Sequence, residues 1–151
     1  MACDFLNYIT RDSVMILDGE DKLKIMDEII SRAADLTKLN RDTIYRLTWK
    51  REKMMTTAVG KGLALPHIRV NDIPAPVIVI GVAKNDIADY VAQDGKAVRV
   101  VVFMAAPDED QDAYLQLLGS VSRKMREEGV IEKLLESTEN AAVLYNTVTA
   151  L

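Results

Sequence analysis

One cysteine and one histidine occur among 151 residues, Cys3 and His67, and that scarcity excludes a good deal. A lone cysteine cannot close an internal disulfide, and one cysteine with one histidine is a poor start for a structural zinc site. No metal or other cofactor is therefore expected. Basic residues are not in excess: 19 Lys and Arg face 23 Asp and Glu, giving a net charge of −4 and a pI near 5.0. Binding nucleic acid by neutralising phosphates needs the opposite balance. Long hydrophobic runs are missing too. The longest, Val77–Ala83 and Val100–Ala106, fall far short of the ~20 residues that cross a bilayer, so no direct membrane insertion is expected. The opening stretch MACDFLNYITRD lacks the basic-then-apolar order of a secretory signal, which points to a cytoplasmic protein. With only 4 Pro and 7 Gly there is no linker tract, and no repeat is visible, so residues 1–151 are expected to form one domain.

What is present alternates between two periods. Val14–Leu17 is a short β-type run stopped by Asp18-Gly19. From Asp21 the spacing becomes helical, with Ile25, Ile29, Ala33 and Leu36 on one stripe that Met26 and Ile30 widen. Asn40 is suited to cap a second helix running through Ile44 and Leu47 to about Lys53. A Thr/Gly/Pro segment follows. Val77–Ala83 and Val98–Met104 are rich in β-branched residues and read as sheet-core strands, with Asp94-Gly95 turning before the second. Pro107 to Asp110 opens an acidic start for a long helix, whose inward face would carry Ala113, Tyr114, Leu117, Leu118, Val121 and Met125. Gly129 is placed to end it, and short helices are expected near Ile131–Glu136 and Glu139–Val148. Helices interleaved with strands predict an α/β sandwich around a central, mixed sheet.

The chemistry narrows to TTAVGKGLALPHIRV, Thr56 to Val70. A phosphate-binding P-loop fails on spacing, because Met55 stands where glycine is needed and Gly62 where Ser or Thr should follow the lysine. There is no Gly-x-Ser-x-Gly elbow for a hydrolase, and the acidic cluster Asp108–Asp112 is explained as a solvated helix start. His67 is different. Pro66 fixes its own φ and drives Leu65 toward extended geometry, so the chain enters the histidine stiffly. Gly60 and Gly62 bring bare backbone, Thr56 and Thr57 bring hydroxyls, and Arg51 brings a guanidinium within a short stretch of chain. A stiff imidazole among anion-binding groups is what phosphorylation of a histidine requires.

The stretch REKMMTTAVGKGLALPH, Arg51–His67, resembles the motif of enzyme IIA domains of the bacterial phosphoenolpyruvate-dependent phosphotransferase system, fructose/mannitol type. That type includes the nitrogen-regulatory branch. The shared positions are Arg51-Glu52, Thr56-Thr57, Gly60-Lys61-Gly62 and Ala64-Leu65-Pro66-His67. YLQLL, Tyr114–Leu118, also falls where the family has a counterpart, so the likeness extends over almost the whole chain. It implies phosphorylation of His67 by an HPr-like phosphocarrier protein or a nitrogen-branch relative. The phosphoryl group then passes to a IIB domain that serves a sugar channel, or acts as a signal to a regulatory target protein. It also implies that Arg51, Thr57 and the backbone at Gly60 and Gly62, with Thr56 nearby, stabilise the phosphoryl oxygens. Family members usually carry a second histidine where this chain has Tyr114. A phenol can donate one hydrogen bond but supplies no positive charge. That departure keeps open the alternative of a regulatory protein-binding module without onward transfer. Exposed apolar surface on the long helix would point to a homodimer.

Overall fold

The computed structural model describes residues 4–151; Cys3 lies outside the described residues. Two short 3-10 turns, Phe5–Tyr8 and Arg11–Ser13, lead into β1 (Val14–Leu17). Then come α1 (Lys22–Thr37), α2 (Arg41–Met54), β2 (Ala58–Gly60), β3 (Leu63–Ala64) and β4 (His67–Val70). The long strands β5 (Val77–Val91) and β6 (Ala97–Pro107) precede α3 (Gln111–Arg126), α4 (Val130–Leu135) and α5 (Ala141–Thr149). The helix starts follow capping chemistry. Asp21, Asn40, Asp110 and Asn140 each accept a backbone N–H of the first turn through the side-chain oxygen.

The six strands form one mixed sheet in the order β1-β5-β6-β3-β2, with β4 also pairing on β6. β5 and β6 run antiparallel, while β1 is parallel to β5 and both β3 and β4 are parallel to β6. Strand period two sorts the side chains. Val79, Ala83, Val101, Phe103 and Ala105 face α1 and α2, whereas Ile78, Ile80, Val82, Val100 and Val102 face α3, α4 and α5. The result is the sandwich that the sequence predicts. Gly81 lets α1 lie close, because a Cβ there would come within 2.9 Å of Leu17 and Ile29 side-chain carbons.

Four local expectations are corrected. β5 continues past Ala83 to Val91, although Lys84, Asn85, Asp86 and Asp89 make that stretch look like a loop. Its buried anchors are Ile87 and Tyr90, which reach the same core although three residues apart because the register shifts again between Ile87 and Val91. Arg99 donates to the carbonyls of Ala83 and Lys84 at the first shift. The Thr/Gly/Pro segment holds three short strands, because β6 and β3 offer partners that no local signal announces. Gly129 does not end the long helix. α3 stops at Arg126, and Gly129, at φ +85°, takes the cap position before α4. Ala113, assigned to the inward face of that helix, is exposed because it sits in the first turn, before the helix meets the sheet.

Candidate functional site

His67 is the first residue of β4, an arm of sheet laid along the end of β6. Ile68 and Val70 point into the α1/α2 core, so His67 and Arg69 turn the other way, toward the start of α3. There the rings of His67 and Tyr114 lie 6.0 Å apart at 54°. The C-terminal end of α2 closes the far side. Leu47, Lys50, Arg51 and Met54 of that helix, with His67, Ile68, Arg69 and Tyr114, line a shallow recess of about 260 Å³. Three cationic side chains, Lys50, Arg51 and Arg69, therefore line the same recess as the imidazole.

The hydrogen bonding of the ring fixes its chemistry. Nδ1 lies 2.7 Å from the Leu65 carbonyl oxygen. A carbonyl only accepts, so Nδ1 carries the hydrogen, and in the neutral ring the lone pair belongs to Nε2. Among the described residues Nε2 has no hydrogen-bond partner. Burial holds the imidazole pKa below its ordinary value; the Leu65 bond opposes this, Arg51 adds to it and Glu52 opposes it. His67 is thus held as a neutral imidazole at pH 7, with Nε2 as its lone-pair nitrogen.

This shift predicts a pH dependence of stability. The folded ring takes its proton at lower pH than the unperturbed value of 6.5, so on acidification the unfolded chain protonates first. The stabilisation is complete above about pH 6.5 and declines as pH falls below it. Urea unfolding at stepped pH should show that decline in the wild type and a smaller one in His67→Gln. With a single histidine in the chain, no other imidazole can mask the difference. Glu52 acts in a lower window. Burial alone would raise its carboxyl, but hydrogen bonds from Thr57 and Lys22 outweigh burial and hold it below 4.5, so its contribution fades only under more acidic conditions.

The structure separates the remaining sequence candidates. Arg51 lines the recess, with one N–H donated 2.9 Å to the Met55 carbonyl at the end of α2. Tyr114 is half-buried, and burial raises its phenol pKa more than Arg51 and Arg69 lower it, so it stays a neutral donor. Thr57 does not line the recess. It is 3% exposed, and its hydroxyl is taken up by Glu52 and Tyr90. Thr56 is exposed outside the recess and accepts from the Ala58 N–H. Gly60 and Gly62 are also displaced from the imidazole. Gly62 sits opposite Arg99 and His67 opposite Met104, a separation along β6 of about 16 Å at the usual strand rise. The anion that this turn binds is internal: the Lys61 N–H donates 2.8 Å to Asp94.

Sequence reasoning missed Arg69. Its guanidinium lies over the Tyr114 ring at 5.5 Å and pairs with Asp108 at 2.7 Å. The signal was available, because residues two apart on a strand share a face and Arg69 follows His67 at that spacing. Lys50, one residue before Arg51, was also passed over, since only the helix end shows which face of α2 meets β4. Among the described residues, no group of three His, Cys, Asp or Glu side chains is placed to hold a metal ion, and no helix is long and apolar enough to cross a membrane.

Solved structures define the class to which this fold belongs. Nitrogen regulatory protein IIA-Ntr from Neisseria meningitidis superposes with a TM-score of 0.84 at 18% identity, covering 95% of this chain and 98% of that one. Mannitol IIA from Escherichia coli gives 0.74 at 17% identity, covering 93% and 98%. Sequence comparison then fixes the family. The family profile described as phosphoenolpyruvate-dependent sugar phosphotransferase system, EIIA 2, matches residues 7–148, and the chain belongs to that family. A nitrogen regulatory protein of Bradyrhizobium diazoefficiens is 31% identical over 129 residues, covering 84% of this chain and 82% of that protein. The fructose-specific EIIABC component of Bacillus subtilis is 25% identical over 138 residues, 90% of this chain; the chain spans only 22% of that protein's length.

Proposed function

We propose that the chain is a phosphocarrier that receives a phosphoryl group on Nε2 of His67 from an HPr-like carrier protein. The observation that carries this reading is the Nδ1–H···O=C bond to Leu65, which leaves Nε2 as the lone-pair nitrogen at a cationic recess. In the transfer, the Nε2 lone pair forms a bond to phosphorus as the N–P bond of the donor phosphohistidine breaks, and the donor imidazole keeps that electron pair. The Leu65 carbonyl stabilises the positive charge that grows on the acceptor ring. Arg51, Lys50 and Arg69 stabilise charge on the three phosphoryl oxygens. Because one imidazole replaces another, alignment rather than driving force is the task of the protein. Met54 and Met55, 77% and 70% exposed at the end of α2, give the site a soft apolar rim suited to a protein partner.

Incubation with phosphoenolpyruvate, enzyme I and HPr, followed by assay for acid-labile phosphate, tests the reading. Absence of label would end it. Onward transfer to a IIB domain is one outcome, and a structural neighbour is a mannitol IIA in complex with phosphorylated IIB from Escherichia coli. The alternative, a phosphorylation state read by a regulatory target, is favoured by the 31% identical nitrogen regulatory relative. Adding a IIB protein and following the label distinguishes them. Tyr114 bears on the same step. As a neutral phenol beside His67 it offers a single donor, so Tyr114→His is expected to speed phosphorylation severalfold in a rapid-quench assay. An unchanged rate would remove Tyr114 from the machinery.

A further inference from the structure

Behind the recess lies a buried ionic cluster that the transfer step does not use. Glu52, 6% exposed, accepts from Lys22 Nζ at 3.1 Å, from Tyr90 Oη at 3.2 Å and from the Thr57 backbone N–H at 2.9 Å, besides the Thr57 hydroxyl. A carboxylate taken out of water on this scale is costly unless every oxygen is paired, and here four donors converge on it. Lys22 comes from α1, Glu52 from α2 and Tyr90 from the far end of β5, so three elements meet at Glu52, which in turn holds one residue of the strand-leading segment, Thr57.

That residue leads to the histidine by two further bonds. The Thr57 carbonyl accepts the Leu65 N–H at 3.0 Å, and the Leu65 carbonyl accepts Nδ1–H of His67 at 2.7 Å. Pro66 then stiffens the step from Leu65 to His67. We infer that Glu52 is a positioning residue for His67: it fixes Thr57, Thr57 fixes Leu65, and the Leu65 carbonyl selects the ring tautomer that frees Nε2. The coupling is mechanical. The N–H and C=O of Thr57 belong to different peptide groups, as do those of Leu65, so position rather than bond polarisation is passed along. Tyr90 is the second anchor, because its hydroxyl donates to Glu52 and lies against the Thr57 hydroxyl. The inference assigns Glu52, Thr57 and Tyr90 a role one layer behind the reacting atoms; its consequence for phosphorylation rests on the proposed function, while its consequence for the tautomer does not.

The test is nitrogen NMR of the His67 imidazole in the full chain at alkaline pH, where the ring is neutral in every variant. The wild type should show a pyrrole-type Nδ1 and a pyridine-type Nε2. Glu52→Gln removes the carboxylate charge that the Thr57 N–H and Lys22 bind, so the hold on Thr57 weakens even where its hydroxyl turns to accept from the new N–H₂. Both ring nitrogens should then move to intermediate shifts, and phosphorylation by phosphorylated HPr should slow about tenfold, the size of effect seen when a supporting hydrogen bond is removed. A folded Glu52→Gln protein with an unaltered tautomer and rate overturns the inference. Should Glu52→Gln fail to fold, Tyr90→Phe decides, since it deletes one hydroxyl and keeps the carboxylate. A smaller displacement of both nitrogens in the same direction supports the relay, and no displacement overturns it. If the wild type takes no phosphate but the tautomer still responds, the proposed function falls and the positioning role stands.

Discussion

His67→Gln is expected to carry no acid-labile phosphate after incubation with phosphoenolpyruvate, enzyme I and HPr, while its circular dichroism matches that of the wild type. The reason is chemical. Glutamine approximates the reach of imidazole, but its amide nitrogen has no available lone pair to attack phosphorus. The fold should tolerate the change because the ring lies at the mouth of a recess, with the Leu65 carbonyl as its hydrogen-bond partner. Glutamine can still donate to that carbonyl. Full labelling of the variant would mean that phosphate sits on another residue, and the assignment of the recess would have to be abandoned.

The second large effect is expected at Arg51. Arg51→Ala should slow phosphorylation about 10²-fold, in line with loss of one preorganised donor to developing negative charge. Arg51→Lys should fall between, because an ammonium keeps the charge but not the planar fork. A separate signature distinguishes this from a folding defect. The Arg51 charge is one of the influences that depress the His67 pKa, behind burial, so its removal should raise the pKa of the ring. The acid limb of the pH–rate profile should accordingly move to higher pH in Arg51→Ala. A slower variant whose profile does not move would point to loss of the helix-end bond to Met55 instead.

The site was legible in the chain to unequal depth. His67 stood out because it is the only histidine and follows a proline, both of which can be read without a fold. Arg51 was visible through the motif, and its position at the end of α2 brings it to the recess. Thr57 was read as a ligand because a hydroxyl near the motif looks available, yet it is buried against Glu52 and Tyr90. Gly60 and Gly62 were read as close because they are close in sequence. An extended chain spends that proximity quickly, and five strand residues carry the turn away to Asp94. Arg69 was overlooked although strand period alone places it beside His67.

The elements follow the same division. Capping residues and apolar periods located α1, α2 and α3 in the chain, since helix signals are local. The reach of β5 to Val91 was not local. It depends on β6 lying antiparallel to it and on Arg99 satisfying carbonyls at the bulge. That extension is what delivers Tyr90 to Glu52.

By itself, then, the chain determined which layers would form and which imidazole was unusual, because periodicity, caps and a proline act over a few residues. Only the tertiary structure decided which donors surround that ring and which nitrogen is left free. Those outcomes depend on contacts between residues far apart in sequence, among them Glu52 with Tyr90 and His67 with Tyr114.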